Sequence, residues 1–225
     1  MSKRIVCLRH GQTLWNVEHR FQGHSDIPLD QTGIAQAARA ASLLASLRPT
    51  AIVSSDLRRA NDTALSLGRI VGLEVSVDKD FRERGGGLWE GLTREEIAAR
   101  WPEEYVAWEA DPFTFAPEGG ESGLAVLARA LPVIRELVTA HPDCSIIVVS
   151  HKATIRLLLA SLLGFDARGY RDRLDQAPAA LTILDFKDHV RARLMLFNDV
   201  SHYSREVRQP DGNLSRWWDQ KKPQR

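Results

Sequence analysis

Short, continuously apolar runs alternate along this chain with longer amphipathic stretches. Ile5-Val6-Cys7-Leu8, Ala51-Ile52-Val53-Ser54, Glu74-Val75-Ser76-Val77 and Ser145-Ile146-Ile147-Val148-Val149 each have the length and composition of a strand. Between them the spacing changes to that of helices. Asp30 is placed to cap a helix whose apolar stripe is Ile34, Ala37, Ala38, Ala41, Leu44 and Ala45. Asp56 is placed to cap a second helix over 57–71, which Gly72 ends. A third helix is expected over 122–140, kinked at Pro132, and a fourth over 153–163, closed by Gly164. Two further strands, 179–186 and 191–197, complete the pattern at a sheet edge. Strands apolar on both faces need cover on both faces. The expected fold is therefore α/β: a three-layer, doubly wound, mostly parallel sheet with helices on either side.

Residues 81–120 depart from this rhythm. Gly85-Gly86-Gly87 cannot be a helix interior and marks a mobile or closely packed loop. Thr93 and Glu96 have capping-box spacing, Trp101-Pro102 breaks one short helix from the next, and 111–120 reads as a loop over the sheet edge. This segment is taken as a small cap inserted into a single domain over 1–200. Residues 201–225 form a basic tail read as solvated, although the adjacent Trp217 and Trp218 would ordinarily be covered.

Composition adds bounds rather than detail. With 225 residues, 44% hydrophobic and 26% charged, the chain has the make-up of a globular domain. A formal charge of +1 argues against a dedicated nucleic-acid binder, and no apolar run approaches the ~20 residues of a membrane helix. The start of the chain lacks the core of a signal peptide, so a cytoplasmic protein is expected. Cys7 and Cys144 have no metal-ligand spacing and read as core residues in a reducing compartment.

In an open α/β sheet, ligands bind beyond the carboxyl ends of the strands. Four of those ends carry Arg9-His10, Arg58-Arg59, Glu83 and His151. A phosphomonoester bears roughly 1.5 to 2 negative charges at neutral pH, which two guanidiniums and an imidazolium can neutralise with directed hydrogen bonds. Neighbouring positive charge disfavours protonation of His10, leaving a neutral imidazole able to attack phosphorus. His151, held cationic by the phosphate, would stabilise charge during transfer, and Glu83 would serve as proton donor and then as base. That chemistry requires neither metal nor cofactor.

These residues also stand in motifs. Leu8-Arg9-His10-Gly11-Gln12-Thr13 with Trp15-Asn16, then Arg20-Phe21-Gln22-Gly23, resembles the signature region of the histidine phosphatase superfamily, in its phosphoglycerate-mutase-like branch. Ser54-Ser55-Asp56-Leu57-Arg58-Arg59-Ala60, Arg82-Glu83 with Gly87-Leu88-Trp89-Glu90-Gly91, Gly119-Gly120-Glu121-Ser122 and Val148-Val149-Ser150-His151 continue the resemblance over roughly residues 3–200. It implies His10 as nucleophile, Arg9, Arg59 and His151 as phosphate ligands, Glu83 as acid and base, and Asn16, Gln22 and Gly23 near the substrate. It selects Arg59 over Arg58, which is expected to face solvent or a carboxylate, and Glu83 over the nearby Glu90. Trp89, Trp101 and Trp108 are expected to pack the cap. One departure is Lys152, where the family usually has glycine; a lysine there either crowds the pocket or adds a charge for an acidic substrate.

The expected activity is metal-independent hydrolysis of a small phosphorylated metabolite through a phosphohistidine. The alternatives are a phosphoglycerate mutase, and a catalytically weak protein that binds phosphorylated ligands. The glycine-rich segment with Trp89-Glu90-Gly91 resembles the phosphatase members. Homodimers occur in the family, and the sequence itself marks no interface.

Overall fold

The computed structural model describes residues 3–141 and 143–204; the tail from residue 205 on, with Trp217 and Trp218, lies outside the described residues. In chain order the elements are β1 (Lys3–Arg9), α1 (Leu14–Val17), α2 (Gln31–Ala45), β2 (Ala51–Ser54), α3 (Arg58–Val71), β3 (Val75–Val77), α4 (Arg94–Arg100), α5 (Pro102–Ala110), α6 (Gly123–Ala140), β4 (Ser145–Ser150), α7 (Lys152–Leu162), α8 (Tyr170–Arg173), β5 (Leu181–Phe186) and β6 (Ala192–Asp199). The six strands lie in the order β3-β2-β4-β1-β5-β6. The first four are mutually parallel, while β5 runs antiparallel to β1 and β6 antiparallel to β5.

Because side chains alternate along a strand, each central strand feeds two cores. Ile5, Cys7, Ile146 and Val148 pack with Val126, Ile134 and Leu158 on the face covered by α6 and α7. Val6, Leu8, Ile147 and Val149 meet Ala40, Leu44, Ala64 and Leu67 beneath α2 and α3. This is the expected three-layer, mostly parallel arrangement. α6 continues through Pro132, and the capping box at Thr93 and Glu96 opens α4.

Four local expectations change. Asp56 does not cap α3; it accepts both arms of Arg82, at 2.7 and 2.6 Å, while the backbone N–H of Arg58 donates to Asp26. A bidentate guanidinium outweighs one capping bond. On α2, Ile34 is 51% exposed and Ala38 lies outward, because Gly33 and Gln36 occupy the buried arc. Gly33 touches Gln12 so closely that a Cβ would sit 2.0 Å from its carbonyl oxygen, and Gln36 accepts the Gln12 N–H at 2.9 Å. The strand expected from residue 179 starts at Leu181: Ala179 has φ 52°, a left-handed backbone that cannot continue a strand, and belongs to a turn. Of the two strands expected at a sheet edge only β6 lies there; β5 is interior, and the other edge is β3.

Residues 81–120 pack around their own aromatic cluster. Trp89, Ile97, Tyr105 and Trp108 are buried together with Phe21 and Phe115 against them. Trp89 stands edge-on to Trp108 and stacks on Phe115, with centroids 5.8 and 5.5 Å apart. The loop after α5 thus folds onto Gly86 and Trp89 rather than over the sheet edge, and Gly86 pairs with Gly120. The three glycines are the closely packed alternative: a Cβ on Gly87 would meet the Glu118 carbonyl oxygen at 2.0 Å.

Candidate active site

Adjacent parallel strands bring two distant segments into register. Arg9 pairs with Ser150 across β1 and β4, so the next residues, His10 and His151, emerge side by side with ring centroids 5.1 Å apart. His10 Nδ1 lies 2.6 Å from the Gly11 carbonyl oxygen. A carbonyl only accepts, so Nδ1 carries the proton and Nε2 presents its lone pair. Burial, then the charges of Arg59 and Arg9, hold the His10 pKa well below its ordinary value. The imidazole is neutral, as the sequence implied, though burial contributes more than the neighbouring charge.

His151 is fully buried behind His10, and its Nε2 is 2.8 Å from Ser55 Oγ. The Ser55 hydroxyl accepts the Leu57 N–H at 3.3 Å and is free to donate its proton to His151 Nε2 or to accept from it. His151 Nδ1 is buried and has no hydrogen-bond partner. Burial and the charges of Arg59, His10 and Arg9 depress the His151 pKa as well. The cationic His151 expected from the sequence therefore requires an anion to be bound first.

Arg59, in the first turn of α3, is fully buried and donates to the carbonyl oxygens of Ser25 and Gly23, both at 2.8 Å. Burial lowers its pKa to about 10, so it stays charged. Gly23 has φ 49°, and a Cβ there would lie 2.0 Å from Glu90 Oε1. Arg9 donates to the Gln176 carbonyl oxygen at 2.6 Å. Arg58 points outward, 3.4 Å from Asp62, in agreement with its exclusion.

Glu83 lines the same cavity. Its carboxylate accepts the Arg84 N–H at 2.9 Å and the Ala153 N–H at 3.2 Å, at the start of α7. Glu90, by contrast, is occupied by the N–H groups of His24, Ser25 and Gly86 and by the Ser25 hydroxyl. It fixes the loop that presents Gly23 to Arg59.

A cavity of about 500 Å³ opens above this floor, lined by Arg9, His10, Asn16, Gln22, Gly23, Arg59 and Glu83 and walled by cap residues including Trp108. Asn16 Oδ1 accepts the Thr13 N–H at 3.1 Å in a capping box at α1. Gln22 Oε1 is buried without a hydrogen-bond partner. Lys152 also lines the cavity and pairs with Asp175 at 3.1 Å; burial pushes its pKa down to about 8. It neither fills the cavity nor leaves it. His151 is absent from the lining and reaches the floor only beneath His10.

Sequence reasoning missed the supports. Arg129 on α6 donates to the carbonyl oxygens of Asp80, Arg82 and Glu83 and is paired with Glu121 at 2.9 Å, thereby setting the Glu83 segment. His24 Nε2 lies 2.9 Å from the Glu83 carbonyl oxygen. Ala179 donates its N–H to the His10 carbonyl oxygen at 3.0 Å. For Arg129 the sequence signal was a lone charge in the apolar run from Leu124 to Leu131. Among the described residues no three His, Cys, Asp or Glu side chains are grouped to hold a metal, and no helix is long and apolar enough to cross a membrane.

Known proteins resemble this chain in sequence and fold. The family model of the histidine phosphatase superfamily (branch 1) matches residues 5–200. A glucosyl-3-phosphoglycerate phosphatase of Mycobacterium tuberculosis (strain ATCC 25618 / H37Rv) is 45% identical over 222 residues, covering 92% of this chain and 99% of the relative. Phosphoserine phosphatase 1 of Hydrogenobacter thermophilus is 32% identical over 163 residues, covering 72% and 77%. A solved structure of mycobacterial glucosyl-3-phosphoglycerate phosphatase complexed with VO3 superposes with a TM-score of 0.79 at 42% identity, covering 87% of this chain and 98% of that one. The family model and the mycobacterial relative together show that the chain belongs to the histidine phosphatase superfamily, branch 1.

Proposed function

We propose that this protein is a phosphomonoesterase acting on a phosphorylated glycerate derivative of the glucosyl-3-phosphoglycerate kind, through a phosphohistidine on His10. The observation that carries the reading is the oriented His10 Nε2 beside Arg59, a buried guanidinium whose hydrogen bonds go to neutral carbonyl oxygens. A buried cation surrounded by neutral acceptors favours an incoming anion.

In the first step Nε2 of His10 forms a bond to phosphorus as the phosphorus–alkoxide bond breaks, and Glu83 passes a proton to the leaving oxygen. Arg9 and Arg59 hold the non-bridging oxygens, and the bound dianion raises the proton affinity of His151, whose Nδ1–H then donates to it. In the second step Glu83 takes a proton from water as its oxygen attacks phosphorus, and the bond to His10 breaks. Asn16, Gln22 and Gly23 border the phosphate end of the cavity. The domain organisation fits this division: the sheet supplies the floor, and residues 81–120 supply much of the wall.

The test is phosphate release from glucosyl-3-phosphoglycerate, 3-phosphoglycerate and an aryl phosphate, with and without chelator. Release that survives chelation and disappears in His10→Ala supports the reading. Exchange of phosphoryl between glycerate positions without phosphate release would select a mutase, and binding without turnover would select a phospholigand-binding protein.

A further inference from the structure

A second buried charge in the cavity wall is left unanswered. Arg156 lies one helical turn beyond Lys152 on α7, so both side chains share a face. It lines the cavity and is 5% exposed. Its Nε has no hydrogen-bond partner, and among the described residues no carboxylate pairs with it; its guanidinium sits over the Tyr170 ring, 5.2 Å from the centroid. The acids near enough to influence it, Asp175 and Glu83, are engaged with Lys152 and with the N–H groups of Arg84 and Ala153.

The neighbouring Arg171 shows how this wall normally treats a cation. It is equally buried, yet faces Glu109 at 3.6 Å and Asp172 at 3.3 Å and donates to the Glu109 carbonyl oxygen. An unpaired buried charge is costly and persists where something outside the chain completes it. Arg59 has the same character on the floor, where the phosphate is expected. Lys152 lines the same cavity as Arg9 and Arg156 and lies close enough to feel the charge of both.

We infer that Arg156 binds a carboxylate of the substrate, held flat by Tyr170 and flanked by Lys152, and thereby selects phosphomonoesters of short hydroxy acids. One unmatched guanidinium suits a single negative charge better than a second phosphate dianion. The planar fork also fits a carboxylate in two-point contact. The inference rests on the phosphatase reading of the floor and adds to it the feature of the substrate that the wall reads.

The experiment compares 3-phosphoglycerate with glycerol 3-phosphate, which carries a hydroxymethyl group where the former has its carboxylate. The full chain should favour 3-phosphoglycerate in kcat/KM by at least about tenfold. In Arg156→Met that ratio should fall to near one, chiefly through KM, and Arg156→Lys should restore part of it. The ratio is read within each variant, so a general loss of activity cancels. If the wild type hydrolyses neither of these esters nor glucosyl-3-phosphoglycerate nor the aryl phosphate, the phosphatase reading fails; whenever these two esters are not turned over, the carboxylate site is tested by calorimetric titration of both into wild type and Arg156→Met. A wild type indifferent to the carboxylate, or a Met variant that keeps the preference, overturns the inference. Without ligand, Arg156→Met should melt no lower than wild type, whereas a large drop or failure to fold would make Arg156 a structural residue and also overturn it.

Discussion

At the floor of the cavity, Arg59 is held by the carbonyl oxygens of Ser25 and Gly23, and two histidines beside it are kept neutral. On the cap side, Arg171 sits 4.6 Å from the Trp108 centroid and faces Glu109 and Asp172. Both arginines are buried, but among the described residues only Arg171 has carboxylates at ion-pair distance, while Glu83, Asp26 and Glu90 reach Arg59 only through the field of their charge. A floor built in this way has electrostatic stabilisation already in place for the anion it receives. The part of the wall around Arg171 and Trp108 is a packed structure, stable without ligand, in which the cation serves mainly to hold an aromatic ring.

If that contrast is right, substitutions in the two regions should fail differently. The largest effect is expected from His10→Ala, which removes the attacking nitrogen: turnover should fall by at least about 10⁴-fold while the thermal midpoint changes little. Stopped assays with a chromogenic phosphate, alongside a melting curve, check both halves. Trp108→Ala should do the reverse and lower stability by about 3–5 kcal/mol in denaturant unfolding, because a buried ring at the centre of the aromatic cluster is lost. Arg59→Met should cost about 10²–10³-fold in kcat/KM, with stability retained or improved. Equal losses of stability for Arg59→Met and Trp108→Ala would erase the distinction.

A smaller effect concerns pH. The folded-state pKa values of His10 and His151 are depressed, so below about pH 6.5 the unfolded chain binds protons that the folded one does not. The stability these neutral histidines contribute is full above that pH and declines as pH falls beneath it, by up to about 1.4 kcal/mol per unit for each. Unfolding measured between pH 7.5 and about pH 5 should show this slope, and His10→Gln should reduce it. An unchanged slope would mean that His10 is not buried as a neutral group.

The sheet was legible because its strands are apolar on both faces, a pattern few other arrangements explain. The site was legible because Arg9-His10, Arg59, Glu83 and His151 each follow a strand end within well-marked motifs. Less visible was anything set by contact between distant segments. Asp56 looks like an N-cap until Arg82 arrives from 26 residues away. Ile34 fits an apolar stripe until the close meeting of Gly33 and Gln12 rotates the helix outward. Arg129 and Ser55 act through hydrogen bonds to segments tens of residues off, and no local periodicity encodes those partners. Arg156 left a trace, being a lone cation among Ile155, Leu157 and Leu158, but only the missing partner in the folded chain gives it meaning.

The most direct test of the floor is to trap the intermediate. Wild-type protein mixed with a phosphomonoester and quenched in alkali within one turnover should carry a phosphoryl group on the peptide containing His10, acid-labile and absent from His10→Ala. Turnover at full rate with no phosphoryl group on that peptide, or with the group on any other side chain, would contradict the account.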